Sequence, residues 1–152
     1  MSGVTIRLIE KKDLDKLRLW KNANKNRFFF QNEISSEAQE SWFQSYQLQK
    51  NNYMYIVEVG LVGIGCMGIR LIDDCWDIYN VILGESDFAK KGHMSVALKK
   101  MIKSAQSLEY RSVELEVLID NPAVNWYLSN SFQIFNTRSK SYKMRYSCLS
   151  SR

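Results

Sequence analysis

The apolar positions change period several times along the chain, and each change predicts an element. Val4 to Ile9 alternates apolar with polar residues, the signature of a half-buried strand. Leu14, Leu17, Leu19 and Trp20 then recur at helical spacing behind Asp13, which stands where an N-cap would. A second helix is predicted to open at Ser35 or Ser36, with Trp42, Phe43 and Tyr46 on its buried side. Tyr53 to Val59 and Leu61 to Ile72 are β-rich runs joined at Gly60, a predicted hairpin. The Asp73-Asp74 turn leads to Asp77 to Gly84, whose Ile78, Val81, Ile82 and Leu83 predict a largely buried strand.

That strand ends at a polar, basic turn, and from Gly92 the residues Met94, Ala97, Leu98, Met101 and Ile102 return to helical spacing. A strand feeding a helix through a glycine-bearing basic turn aims the free N–H groups of the helix start back at the turn, which suits an anion. Beyond this helix, Ser112 to Leu118 alternates as a strand, and Pro122 behind Asp120 or Asn121 starts a short helix from Ala123 to Ser129. Phe132 to Phe135 and Tyr142 to Ser147 close the chain as a pair of strands. The order is β, α, α, β, β, β, α, β, α, β, β, an α/β (α+β) chain.

Composition narrows the classes. The 152 residues suit one domain; 45% are hydrophobic and 24% charged, and no apolar run approaches a membrane span. The charged, alternating N-terminus does not resemble a signal peptide, so a cytoplasmic protein is expected. Cys66, Cys75 and Cys148 are odd in number and lack metal-ligand spacing, which suits a reducing compartment and no metal. The net charge of +5 fits a phosphate-bearing partner. The lysines are scattered rather than gathered on one face with exposed aromatics, which argues against nucleic acid.

Two features invite misreading. Gly63, Gly65 and Gly68 fit the dinucleotide pattern G-x-G-x-x-G, but strand-like Ile69 to Ile72 follows where a helix is required. They read instead as bulge or close-packing positions. Phe28, Phe29 and Phe30, beside Arg27 in an Asn-rich passage, read as core packing ahead of a substrate pocket.

In element order and in two motifs the chain resembles the GNAT family of N-acetyltransferases. The first motif, Arg/Gln-x-x-Gly-x-Gly/Ala, meets Ala89-Lys90-Lys91-Gly92-His93-Met94: the middle glycine is kept, Ala89 and Met94 depart, and Lys90 or Lys91 stands in for the missing Arg or Gln. The second, Asn-x-x-Ala-x-x-x-Tyr-x-x-x-Gly-Phe, meets Ala123, Tyr127 and Phe132 in register, with Ser131 for Gly and Asn121 one place from the expected Asn. The resemblance implies a mainly antiparallel sheet of about seven strands flanked by about four helices, a single acetyltransferase domain over residues 1–152, and acetyl-coenzyme A as cosubstrate. It implies that Val81, Ile82 and Leu83 hold the pantetheine arm and polarise the thioester, and that Lys90, Lys91, Gly92, His93, Met94, Ser95 and Asn121 hold the rest of the cofactor.

Within this reading Tyr127 is the acid that protonates the leaving thiolate, with core packing as its alternative. Asp77 is the candidate base, with an exposed strand-end role as its alternative. Asn22, Asn26 and Arg27 are candidate acceptor contacts. The Lys21-Asn22 pair and Trp42-Phe43 look most like the branch acetylating nucleotide-linked amino sugars, and are shared with the branch acetylating ribosomal-protein N-termini. The expected activity is acetyl transfer to a small primary amine. A protein N-terminus, or a non-catalytic ligand- or nucleic-acid-binding module, is the alternative, and a homodimer stays open as the assembly.

Overall fold

A computed structural model describes residues 3–29 and 31–147, so Phe30 and Cys148 lie outside the described residues. Seven strands form one sheet: β1 (Val4–Leu8), β2 (Asn52–Val59), β3 (Val62–Ile72), β4 (Cys75–Leu83), β5 (Val113–Leu118), β6 (Phe132–Thr137) and β7 (Ser141–Tyr146). Their spatial order is β1-β2-β3-β4-β5-β7-β6. Every pairing is antiparallel except β4 with β5. The helices are α1 (Leu14–Ala23), α2 (Ser36–Leu48), α3 (His93–Leu108) and α4 (Ala123–Ser129). Element order therefore follows the sequence pattern throughout.

The sheet separates two cores. On one face α3 and α4 bury Ala97, Leu98, Met101, Ile102 and Tyr127 against Val57, Ile69, Trp76, Ile78, Leu115 and Met144. On the other, α1 and α2 bury Leu14, Leu17, Trp20 and Phe43 against Met54, Ile56, Cys66 and Ile82. The assignments on β4 show a change of phase: Trp76 and Ile78 face α3, then Val81 and Leu83 do, while Ile82 faces α1. A β-bulge causes it. Cys66 pairs with Ile82 and Gly68 with Tyr79, so Asn80 and Val81 together oppose Met67. Asn80 takes the left-handed conformation, φ 52°, that an asparagine tolerates better than a β-branched residue.

The three suspect glycines all lie in β3 as strand residues. A Cβ on Gly65 would stand 2.3 Å from the Ile82 carbonyl oxygen, so glycine there permits a close approach of β3 to β4. Two local expectations change in detail. Asp13 does precede α1, but its carboxylate caps nothing there: it accepts from the Glu10 N–H at 2.7 Å and from the Arg7 guanidinium at 2.8 Å twice. Ser35 does cap α2, accepting from the Ala38 N–H at 3.1 Å. Leu19, expected on the buried stripe of α1, is 60% exposed.

Candidate active site

The parallel pair of β4 and β5 is short. Only Trp76 with Val113 and Asp77 with Glu114 are in register, after which the two strands diverge. The edge of β4 from Ile78 to Leu83 is thereby left open, and a cleft of about 830 Å³ occupies the gap. That lies within the size range of small-molecule sites. Successive N–H groups along a strand point to opposite edges, and Gly84 donates to the Ile64 carbonyl of β3 at 2.7 Å. The N–H groups of Leu83 and Val81 therefore point into the cleft, and that of Ile82 points to β3.

Past β4, Lys90 and Gly92 both take positive φ, 61° and 78°, and Gly92 is the N-cap of α3. The first-turn N–H groups of His93, Met94 and Ser95 face the cleft, which these three residues line together with Ala89, Lys90 and Gly92. Lys91 is exposed and does not line it. The Trp126 indole donates to the Ser95 hydroxyl at 2.9 Å, tying α4 to the start of α3. Asn121 lines the cleft as well, and its side-chain oxygen accepts from the Ala123 N–H at 2.8 Å, capping α4. An extended chain of amides along β4, leading to a diphosphate at α3, fits this arrangement of donors.

Tyr127 is 6% exposed, lines the cleft between the diverged strands, and packs tilted against Trp126 and edge-on to Phe132. Its hydroxyl makes no hydrogen bond among the described residues, and burial alone pushes its pKa up. Asp77 lines the cleft too. Burial raises its pKa, against the pull of Arg70, whose Nε lies 3.1 Å from Oδ2.

At the other end, Lys21, Asn24, Arg27, Phe28, Phe29, Trp42, Arg70 and Tyr79 line the wall. The expectation that the phenylalanines are core holds in part for Phe28 and is corrected for Phe29: Phe28 is half-buried against the α1–α2 core with the Lys21 ammonium 4.0 Å over its ring, whereas Phe29 is 59% exposed. A short loop cannot turn adjacent rings into one core. Asn22 and Asn26 do not line the cleft. The Asn22 amide donates to the Ile34 carbonyl at 3.0 Å and accepts from the Ile34 N–H at 2.7 Å, pinning the loop before α2.

Sequence reasoning missed Asn80, Arg70, Glu116 and the role of Lys21. Lys21 donates to Asn80 Oδ1 across the cleft, and burial pushes its pKa down to about 8. The apolar phase of β4, Trp76 and Ile78 then Val81 and Leu83, breaks at an asparagine, and that break was the available signal for the bulge.

The family described as Acetyltransferase (GNAT) domain matches residues 4–126. No curated protein matches the chain in sequence. Among solved structures, a domain from Methanocaldococcus jannaschii DSM 2661 superposes with a TM-score of 0.82 at 19% identity, covering 95% of this chain and 98% of that one. Spermidine N-acetyltransferase from Vibrio cholerae, solved with CoA and spermine, gives 0.79 at 19% identity and 95% coverage of each chain. FdhC, a nucleotide-linked sugar GNAT solved in the apo form, gives 0.76 at 16% identity, covering 95% of this chain and 86% of that one.

Proposed function

Because this chain belongs to the GNAT family of acetyl-CoA-dependent N-acetyltransferases, we propose that its acceptor is a small primary amine carrying an anionic group, a nucleotide-linked amino sugar first among them. One observation carries the choice of acceptor. The wall formed by α1 and the loop after it presents Lys21 and Arg27, and among the described residues neither has a carboxylate partner. The carboxylates nearby are engaged: Asp77 with Arg70, and Glu116 with the Ser141 hydroxyl at 2.6 Å and Arg138 at 3.5 Å. A polycation such as spermidine meets net repulsion there, whereas a diphosphate meets two cations.

Acetyl-coenzyme A, when bound, would supply a thioester whose acyl carbon is open to an amine. The chain does the rest. The Val81 and Leu83 N–H groups hold an oxyanion at the open edge of β4. Backbone N–H groups from Gly92 to Ser95, with Lys90, hold the diphosphate. Asp77 takes a proton from the acceptor ammonium, made a stronger base by its burial. Tyr127 delivers a proton to the departing sulfur, its hydroxyl lining the cleft with no hydrogen bond to the described residues. We place the reaction in the cytoplasm, where the free thiols Cys66 and Cys75 persist.

The test is thiol release from acetyl-CoA across four acceptors: a nucleotide-linked amino sugar, the free amino sugar, spermidine, and a peptide with a free N-terminus. The nucleotide-linked sugar should give the highest kcat/KM, and Arg27→Glu should lower it while leaving the free sugar nearly unchanged. A preference for spermidine or the peptide would overturn the assignment of the cationic wall.

A further inference from the structure

One amine already stands inside the cleft. The Lys21 side chain crosses from α1 to β4, where its Nζ bonds the Asn80 side chain at the bulge, one residue before the Val81 N–H that faces the open edge. The same ammonium lies against the Phe28 ring face. Resting on the family reading above, we propose that Lys21 is itself an acetyl acceptor, so that in the absence of substrate the enzyme acetylates its own acceptor wall.

The chemistry balances without any further reactant. The neutral Lys21 amine attacks the thioester carbon, the C–S bond breaks, an amide forms at Nζ, the amine proton passes to Asp77 or water, and Tyr127 protonates the thiolate to give free coenzyme A. A lysine of ordinary pKa near 10.4 is neutral in only about one molecule in 2,500 at pH 7. Burial brings Lys21 to about 8, where roughly one in ten is neutral. The titratable groups acting on it are Arg70, which lowers it further, and the Cys66 thiol, which opposes; both belong to β3. Asn80 from β4 and Phe28 from the loop carry no charge, but each favours the ammonium, so the amine is poised between its two forms. By contrast Lys99 and Lys103 on α3 are exposed and do not line the cleft. Acetylation would delete one of the two unpaired cations on the acceptor wall, so it would weaken binding of an anionic acceptor and be suppressed when that acceptor is present.

The experiment incubates the whole protein with acetyl-CoA and no acceptor, followed by intact mass and tryptic peptide analysis. The expected result is one acetyl group at Lys21, seen as an uncleaved 19–25 peptide, accumulating at least tenfold faster than acetylation at Lys99 or Lys103. Lys21→Arg should abolish that peptide signal and Gly92→Glu should suppress it. A second readout needs no cofactor: trace labelling with acetic anhydride across pH 6 to 10 should report a Lys21 amine titrating well below the exposed lysines, with labelling blocked by added coenzyme A. If coenzyme A raises the melting temperature but Lys21 reacts no faster than Lys99, self-acetylation is wrong and the family reading stands. If coenzyme A neither stabilises the protein nor blocks labelling, both fall.

Discussion

Replacing Tyr127 by Phe separates the two roles open to this residue, because the structure predicts opposite outcomes for them. The ring is 6% exposed and sits edge-on to Phe132 at 5.7 Å and against Trp126 at 5.0 Å, contacts that Phe keeps. The hydroxyl has no partner among the described residues, so its removal breaks no bond in the protein. That hydroxyl lines the cleft and is not among the fully buried polar atoms left without a partner, so its loss neither relieves nor adds more than about 1 kcal/mol. Tyr127→Phe should therefore melt within about 2–4 °C of the wild type, the span of about 1 kcal/mol for a chain of this size. The rate should fall. Loss of a positioned acid costs about 10²-fold or more, equivalent to about 2.7 kcal/mol. Because burial raises the Tyr127 pKa from an ordinary value near 10, the phenol stays protonated through neutral pH, and the wild-type rate should show no loss from this group up to about pH 9. The assay is thiol release with the best acceptor of the panel, alongside a melting curve. A variant within twofold of wild-type kcat would refute the acid role and return Tyr127 to the core.

Three further outcomes follow from particular contacts. Gly92→Glu should fold, since no heavy atom stands within 4 Å of a Cβ there and an acidic group suits the start of α3, but its positive φ and its carboxylate among the diphosphate donors should weaken coenzyme A binding by more than about tenfold in titration calorimetry. Gly65→Ala puts a methyl 2.3 Å from the Ile82 carbonyl oxygen, so β3 and β4 must separate; urea unfolding should show a loss of about 1–3 kcal/mol. Asp13→Asn should lose about 2 kcal/mol at pH 7 by urea unfolding, because burial of the carboxyl is outweighed by its bonds to Arg7 and to the Glu10 N–H, leaving its native pKa lowered. An unfolded chain takes up that proton first as pH falls, so wild-type stability from this group is present above about pH 4 and fades below it, and the difference from Asp13→Asn should narrow there.

How much of this was legible in the sequence depends on the range over which each feature is encoded. Strands and helices follow from period, and β1 through β7 and α1 through α4 each coincide with a predicted run to within a few residues. Gly65 and Gly68 were legible as strand glycines because the residues after them, Ile69 to Ile72, keep a β pattern that no phosphate loop has. Gly92 was legible as the glycine that opens a helix after a strand, and Tyr127 only through the resemblance to the family's second motif; both line one cleft. What pattern could not supply was partnership across the sheet. Asp13 reads as a helix cap from its neighbours, yet Arg7 on β1 captures its carboxylate, an outcome fixed by packing. Asn22 reads as an acceptor contact, yet the backbone of Ile34, twelve residues on, takes both ends of its amide.

The site depends on one irregularity that links these levels. Without the bulge at Asn80 and Val81, β4 would keep the phase of Trp76 and Ile78, placing Ile82 toward α3 and Val81 toward α1, and the apolar residues at its far end would face the wrong cores. The bulge corrects that phase and adds local twist where β4 leaves β5, which is where the cleft opens. It also presents the Asn80 side chain to Lys21, so the residue that sets the strand's geometry is the one that brings a buried cation to the open edge. Packing and chemistry are thus coupled at a single position: a residue that cannot adopt φ near +52° at Asn80 disturbs the alternation of the core, the direction of the Val81 N–H and the placement of Lys21 together.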